Sequence, residues 1–283
     1  MEESGYNLPE MDAALAGTPF SGRLHYFSTI HSTNSYAIEQ AQAGAASGSV
    51  YFADEQTAGR GRGGHAWHSA PESGLYVSVL LRPSLSPDAA LPLSLATGIA
   101  VRHAIAEVCG LTADIRWPND VLLSGRKCCG ILVETAVSGG AGEGDTVQLR
   151  HVVVGIGINV NQTAFPEDLA SLATSLRIES GRAWPRQTLL LALLSALHRE
   201  VDSLATGVEG LLERFEQAST WVRGKRVRVE DAGALQAGGQ PARPPDAGGY
   251  TGVTEGLDAR GFLLVRTPAG IRTVLSGGVR ELS

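Results

Sequence analysis

The sequence predicts an α+β fold: a mixed, largely antiparallel sheet with helices packed on it, followed by a small β-barrel. Three observations carry this. Two hairpin-like strand pairs follow one another, Gly48–Gln56 with Leu75–Leu81 and Lys127–Val137 with Gln148–Val154. Helical periodicity runs through Asp88–Val108, Gln187–Leu204 and Glu209–Ala218. After Trp221 the texture changes to short alternating runs separated by glycine turns, which suits a closed all-β unit of SH3-like type.

Taken in order, residues 1–23 lack periodicity and read as a flexible leader. Leu24–Phe27 begins a strand that runs into the polar cluster Ser28–Asn34. Tyr36, Ala37, Ile38 and Ala41 then follow helical spacing, so Ser32 or Thr33 is the candidate N-cap. In Leu75–Leu81 the alternation of Leu75, Val77, Val79 and Leu81 predicts one buried face. Pro92 sits early in the helix of Asp88–Val108, where the first turn tolerates it. Residues 115–120 form a brief strand broken at Pro118, Ser124-Gly125 a turn, and Gly139–Gly144 a flexible hairpin tip. Pro166–Ser180 is irregular or briefly helical. The resulting division is a leader (1–23), a main domain (24–220) and a C-terminal β domain (221–283) with a disordered insertion near 232–249, rich in Gly, Pro and Ala.

Composition narrows the function. The 283 residues carry a formal net charge of −6, which opposes a broad electrostatic grip on nucleic acid. No apolar run is long enough to span a membrane, and the first twenty residues mix acids with prolines rather than forming a secretory signal. Three cysteines without a Cys-x-x-Cys motif suggest neither a disulfide framework nor a zinc site, so the cytoplasm is the expected compartment.

Against this acidic background one stretch is locally basic: Gly59–Trp67, reading GRGRGGHAW. Arg60 and Arg62 present planar forks suited to carboxylate and phosphate oxygens, and four glycines let the backbone approach a ligand closely while leaving the segment costly to order until it is filled. Strand-like runs on both sides anchor the loop at its ends. An ordinary solvated turn is the plain alternative. An RNA-binding arginine-glycine tail is a weaker one, because the motif does not repeat. Lys127, entering a strand after a turn, supplies a compact point charge. Pro118-Asn119-Asp120 reads first as a structural turn, although the Asp120 carboxylate could orient Lys127 or an arriving amine.

Ser32-Thr33-Asn34, Gln56, GRGRGG with Trp67, WPND at 117–120, RKCCGILVE around Lys127, and GIGINVN ending past Asn159 occur in this order. In that succession the chain resembles the biotin protein ligases, the biotin–[acetyl-CoA-carboxylase] ligases, in the form without an N-terminal DNA-binding domain. The match spans roughly residues 24–283. The resemblance implies a class II synthetase-like mixed sheet with helices on one side, followed by an SH3-like barrel. It implies ATP-dependent activation of biotin to biotinyl-5′-AMP and transfer of the biotinyl group to one lysine of a biotin carboxyl carrier protein. Neither nucleic acid nor membrane is expected as a partner, and a homodimer is allowed.

By the same resemblance, biotin meets Ser32, Thr33, Asn34, Gln56, Gly59, Arg60, Gly61, Arg62, Lys127, Gly130, Ile131 and Leu132. ATP meets Arg62, Trp67, Asn119, Lys127 and Asn159, with Trp67 against adenine. Arg60, Arg62, Lys127 and Asp120 are the expected catalytic set. No dedicated metal site is expected: Mg²⁺ arrives on the ATP phosphates, with Asn159 as a candidate protein ligand. The chain departs from the family loop, which commonly reads GRGRRGR, by carrying Gly63, Gly64, His65 and Ala66, so looser retention of the adenylate is expected. A lipoate or octanoate ligase or transferase of related fold is the enzyme alternative, weakened by the absence of the Arg-Arg and Gly-Gly-Gly runs typical of those proteins. An RNA- or DNA-binding regulatory protein is the non-enzyme alternative, weakened by the lack of a basic face or recognition helix.

Overall fold

The computed structural model describes residues 5–83, 85, 89–138, 148–204, 207–230, 249–275 and 277–282. The expected hairpin tip at Gly139–Gly144 and all but the last residue of the expected insertion at 232–249 lie outside the described residues. The larger sheet is built from β1 (Leu24–Ile30), β2 (Val50–Gln56), β3 (Gly74–Leu81), β4 (Asp114–Arg116), β5 (Asp120–Leu123), β6 (Arg126–Ser138) and β7 (Gln148–Asn159). Its seven strands lie in the order β1-β2-β3-β7-β6-β5-β4. Only β1 and β2 run parallel, so the sheet is mixed and largely antiparallel, as the sequence predicts.

Strand alternation separates the two faces. Val50 and Phe52, Leu75, Val77 and Val79, and Val154, Ile156 and Ile158 enter one large apolar cluster. The helices α3 (Ala90–Cys109) and α5 (Arg186–Leu204) supply the rest of that layer through residues such as Leu93, Ile99, Leu189 and Leu193, with α6 (Glu209–Ala218) adding Phe215. The opposite face is covered by one helix, α2 (Thr33–Gln42), whose Ala37 and Ala41 pack on Tyr51, Leu80 and Val153. The expectation of helices on one side therefore needs this correction. Two alanines let α2 lie close to the sheet, and beyond its end the face stays open.

The expected flexible leader is also corrected. Within residues 1–23, α1 (Leu8–Ala14) begins at Asn7, whose side chain accepts from the Glu10 amide, and carries Pro9 in its first turn. Met11, Leu15 and Phe20 are fully buried in the main core. Burial of each such side chain contributes about 1.5–3 kcal/mol, which offsets the ordering of so short a segment. Three apolar positions among small residues gave too little periodicity to be seen in the sequence.

The shorter helix α4 (Leu176–Ser180) closes the region expected to be briefly helical. Past α6, strands β8 (Arg223–Glu230), β9 (Tyr250–Leu257), β10 (Leu263–Thr267), β11 (Gly270–Val274) and β12 (Gly278–Glu281) form a second sheet in the order β11-β10-β9-β8-β12. Every pairing in it is antiparallel. Its inward residues Val227, Val229, Leu263, Val265, Val274 and Val279 join the same cluster as the large sheet. The indole of Trp117 donates to the Gly261 carbonyl at 2.9 Å, fixing the C-terminal sheet against the turn between β4 and β5. Gly261 takes φ +90 and would bring a Cβ within 3.0 Å of Leu95, so glycine is required at this join. Among the described residues no helix is long and apolar enough to cross a membrane.

Candidate active site

The open sheet face beyond α2 is floored in part by residues with little or no side chain, Ser78, Gly155, Gly157 and Gly130. Ser78 on β3 pairs with Gly155 on β7, which pairs with Leu132 on β6; the next row is Tyr76, Gly157 and Gly130. A Cβ at Gly155 would lie 2.4 Å from Asn34 Oδ1, and one at Gly157 would lie 2.4 Å from Trp67 Nε1. One at Gly130 would lie 2.8 Å from the Trp67 ring and 3.1 Å from Lys127 Nζ. Glycine inside a strand weakens it, and here it lets the start of α2 and the Trp67 indole descend onto the sheet.

Uncharged polar groups gather at one end of this floor. Ser32 caps α2, accepting from the Ser35 amide, as the sequence predicts. Gln56, at the end of β2, accepts from both the Thr33 amide (2.8 Å) and the Thr33 hydroxyl (3.0 Å). Its own amide donates to Ser69 Oγ at 2.9 Å. The Ser78 hydroxyl, fully buried, lies 2.8 Å from Thr33 Oγ1 and 3.0 Å from Asn34 Oδ1. Buried donors and acceptors are thus matched among themselves at the start of α2, where Gln56 and Ser32 take up the Thr33 and Ser35 amides.

Cations line the same cavity. The Gly59–Trp67 segment folds back on itself through the Trp67 amide to Gly59 carbonyl (2.8 Å) and Gly61 amide to His65 carbonyl (2.7 Å) hydrogen bonds. A short helical turn at Arg62–Gly64 closes it, with Gly63 at φ 69 and Gly64 at φ 81. Arg60 reaches Glu134 at 2.9 Å and Ser35 Oγ at 3.3 Å. Arg62 donates to the Gly277 carbonyl of the C-terminal sheet at 3.1 Å. Lys127 Nζ lies 2.5 Å from Asp120 and 5.4 Å from the centre of the Trp67 ring, while the second Asp120 oxygen takes Arg116 at 2.6 Å. The indole N–H of Trp67 is buried without a hydrogen-bond partner among the described residues.

Burial lowers the pKa of Arg62, an effect partly opposed by Asp120. For Asp120, burial pushes upward, but the Lys127 ammonium and then the Arg116 guanidinium outweigh it and hold the carboxyl below its ordinary value. A depressed carboxylate stabilises the folded state above its unfolded pKa of about 4, and that stability is lost as pH falls through the folded value. Thermal melts of the wild type and Asp120→Asn are therefore expected to differ by their full amount above about pH 5 and to converge as pH drops below about 4. A gap independent of pH would remove this assignment.

The cavity is open to solvent at its mouth. Ser32, Thr33, Asn34, Gln56, Arg60, Gly61, Arg62, Trp67, Asn119, Lys127, Gly130, Ile131 and Leu132 all line it. Three expected residues do not. Gly59 lies beneath the loop, where a Cβ would be 2.6 Å from the Trp67 carbonyl, and Asp120 stands behind Lys127. Asn159, with 3% of its surface exposed, donates to the carbonyls of Thr174 (3.0 Å) and Lys127 (3.5 Å). Ser78, Gly155 and Gly157 line the cavity and Glu134 holds Arg60, none of which the sequence reading singled out. The paired glycines in Gly155-Ile156-Gly157 were the available signal.

Residues 26–159 match the model of the biotin/lipoate A/B protein ligase family, and residues 245–279 match that of the biotin protein ligase C terminal domain. The biotin–[acetyl-CoA-carboxylase] ligase of Paracoccus denitrificans is 34% identical over 251 residues, covering 86% of this chain and 94% of the relative. That of Mycobacterium tuberculosis is 33% identical over 257 residues, covering 89% and 86%. The biotin protein ligase of Aquifex aeolicus, solved in complex with biotin and ATP, superposes with a TM-score of 0.74 at 28% identity, covering 92% of this chain and all of that one. With the motifs in order, both domains matched and the catalytic-domain sheet and C-terminal sheet in place, the chain belongs to the biotin/lipoate A/B protein ligase family and, within it, to the biotin protein ligases.

Proposed function

We propose that this protein activates biotin with ATP to biotinyl-5′-AMP, releasing pyrophosphate, and then passes the biotinyl group to a lysine of a biotin carboxyl carrier protein. The observation that carries the reading is the make-up of one cavity, lined both by matched uncharged polar groups and by Arg60, Arg62 and Lys127. Biotin has the same two characters, a neutral urea and ring system joined by an aliphatic chain to a carboxylate.

In the first step a carboxylate oxygen of biotin attacks the α-phosphorus of ATP and the bond to pyrophosphate breaks. Two anions must approach and charge must be held as it moves to the leaving group. We assign Arg60 and Arg62 to the carboxylate and α-phosphate oxygens, which match bidentate guanidinium forks, and Lys127 to the same phosphate as a point charge. Ser32, Thr33, Asn34 and Gln56 take the urea, with Gly130, Ile131 and Leu132 as walls. Trp67 takes adenine, with Asn119 alongside. Asp120 orients Lys127 across 2.5 Å.

In the second step the neutral amine of the carrier lysine attacks the acyl carbon, AMP leaves, and the amine proton is lost. Mg²⁺ would supply charge neutralisation on the ATP phosphates. Among the described residues no three His, Cys, Asp or Glu side chains group around a metal position, and Asn159, the candidate protein ligand, has its amide N–H engaged with backbone carbonyls. The fit is therefore to a metal carried mainly by phosphate and water. Residues 24–220 would carry this chemistry and 221–283 would steady Arg62 through Gly277. Three free, buried thiols, Cys109, Cys128 and Cys129, accord with a reducing cytoplasm as its compartment.

The test is biotin-dependent exchange of labelled pyrophosphate into ATP. Exchange with biotin and Mg²⁺ is expected. Exchange supported by lipoate and not by biotin would reassign the substrate, and no exchange with either acid would end the proposal.

A further inference from the structure

Glu134 is an acidic side chain on the same sheet face as a cavity proposed to receive two anions. On electrostatic grounds alone it should repel both. The side chain is 27% exposed, and both of its oxygens are committed: Oε1 to Arg60 Nη2 at 2.9 Å and Oε2 to Asn34 Nδ2 at 2.5 Å. Arg60 has one other described polar contact, the longer one to Ser35 Oγ at 3.3 Å, and its side chain is 46% exposed. Without Glu134 a long, rotamer-rich side chain would be held by that weak contact alone.

Asn34 has both ends of its amide in use. Its nitrogen donates to Glu134 while its oxygen faces the Ser78 hydroxyl at 3.0 Å. Turning the amide over would set its oxygen against a carboxylate, so Glu134 also fixes which end faces Ser78. From Ser78 the contacts continue to Thr33 and from Thr33 to Gln56. A continuous polar chain thus joins Arg60 to the uncharged groups around the start of α2. Gly155 is what permits it, because any Cβ there would strike Asn34.

We propose that Glu134 is a positioning residue for the activation step, aiming Arg60 at the carboxylate and phosphate and tying that aim to Asn34 at the start of α2. This rests on the reaction proposed above. Its effect on kcat acts through Arg60 and must vanish when Arg60 is gone, whereas its hold on Asn34 falls on the KM for biotin.

The experiment is a double-mutant cycle on pyrophosphate exchange with Glu134→Ala, Arg60→Ala and the pair, with Glu134→Gln as a milder variant that keeps volume and loses charge. Glu134→Ala is expected to lower kcat by about 10- to 100-fold, as misplacement of a catalytic group by about 1 Å does. Glu134→Gln is expected to fall between Glu134→Ala and the wild type. In the Arg60→Ala background Glu134→Ala is expected to change kcat by less than about twofold, since Asn34, the other group it holds, bears on biotin binding. Equal fold losses in both backgrounds would overturn the proposal. A second readout needs no activity: modification of Arg60 by phenylglyoxal in ligand-free protein, followed by peptide mass, is expected to quicken several-fold in Glu134→Ala. An unchanged rate would overturn the positioning role, whereas a quickened rate in a protein without pyrophosphate exchange would spare it and remove only the proposed reaction.

Discussion

Lys127→Ala is expected to lower the rate of biotin-dependent pyrophosphate exchange by about 100- to 1000-fold, the usual cost of deleting one donor aimed at developing charge. The side chain lies between the Asp120 carboxylate and the Trp67 ring, and its backbone is fixed separately. The Lys127 amide donates to the Leu172 carbonyl and its carbonyl accepts from the Thr174 amide, both at 2.9 Å. Removing the ammonium should therefore leave β6 in place. Asp120 keeps Arg116 at 2.6 Å, so its charge is not abandoned, although its pKa rises because the strongest opposing influence on burial is gone. A stability loss of about 1.5–3 kcal/mol is expected from the missing charged hydrogen bond. The check is to measure exchange and thermal melting on one preparation: a rate within tenfold of wild type, in protein that melts cooperatively, would remove Lys127 from the catalytic set.

Gly155→Val is expected to weaken biotin binding by about tenfold or more and to destabilise the fold by about 1–3 kcal/mol, as overpacked interiors do. The backbone of β7 at this position is hydrogen-bonded within the sheet between β3 and β6, so it has nowhere to retreat. The new Cβ would start 2.4 Å from Asn34 Oδ1 and 3.3 Å from the Leu132 carbonyl. Asn34 must move, taking its contacts with Ser78 and Glu134 with it. Titration calorimetry with biotin alone, paired with a melt, reads both effects. Unchanged affinity would mean that the N-terminal end of α2 does not bind biotin.

The part of this site legible in the sequence is the part made of unusual residues. Arg60, Arg62 and Lys127 stand out because charge is sparse around them, and Ser32 stands out because helix caps use few side chains. Ser78 and Glu134 were hidden by their strands. Alternation in Leu75–Leu81 marks the face that enters the main core, but the expected single buried face is corrected to two, because α2, arriving from far earlier in the chain, covers the other. Asn159 was assigned by resemblance to the phosphates, yet its amide N–H is engaged with the backbone carbonyls of Thr174 and Lys127, a contact that spacing cannot reveal. At positions 63–66 the departure from the family loop has a local reason. Gly63 and Gly64 adopt positive φ, which glycine takes freely, and His65 serves the turn through its carbonyl rather than its imidazole. The fold class was legible throughout because strand and helix periods are long here. The N-terminal helix was not, because seven residues give a period no room to repeat.

The bond from Arg62 to the Gly277 carbonyl spans 215 positions of chain. A growing polypeptide emerges from its first residue onward, so β1 to β7 can pair while the partner of Arg62 has yet to be made. The second arginine of the Gly59–Trp67 loop therefore waits on a residue synthesised long after it. Until Gly277 has been added and β12 has docked, a nascent chain can carry a finished floor beneath an unfinished gate.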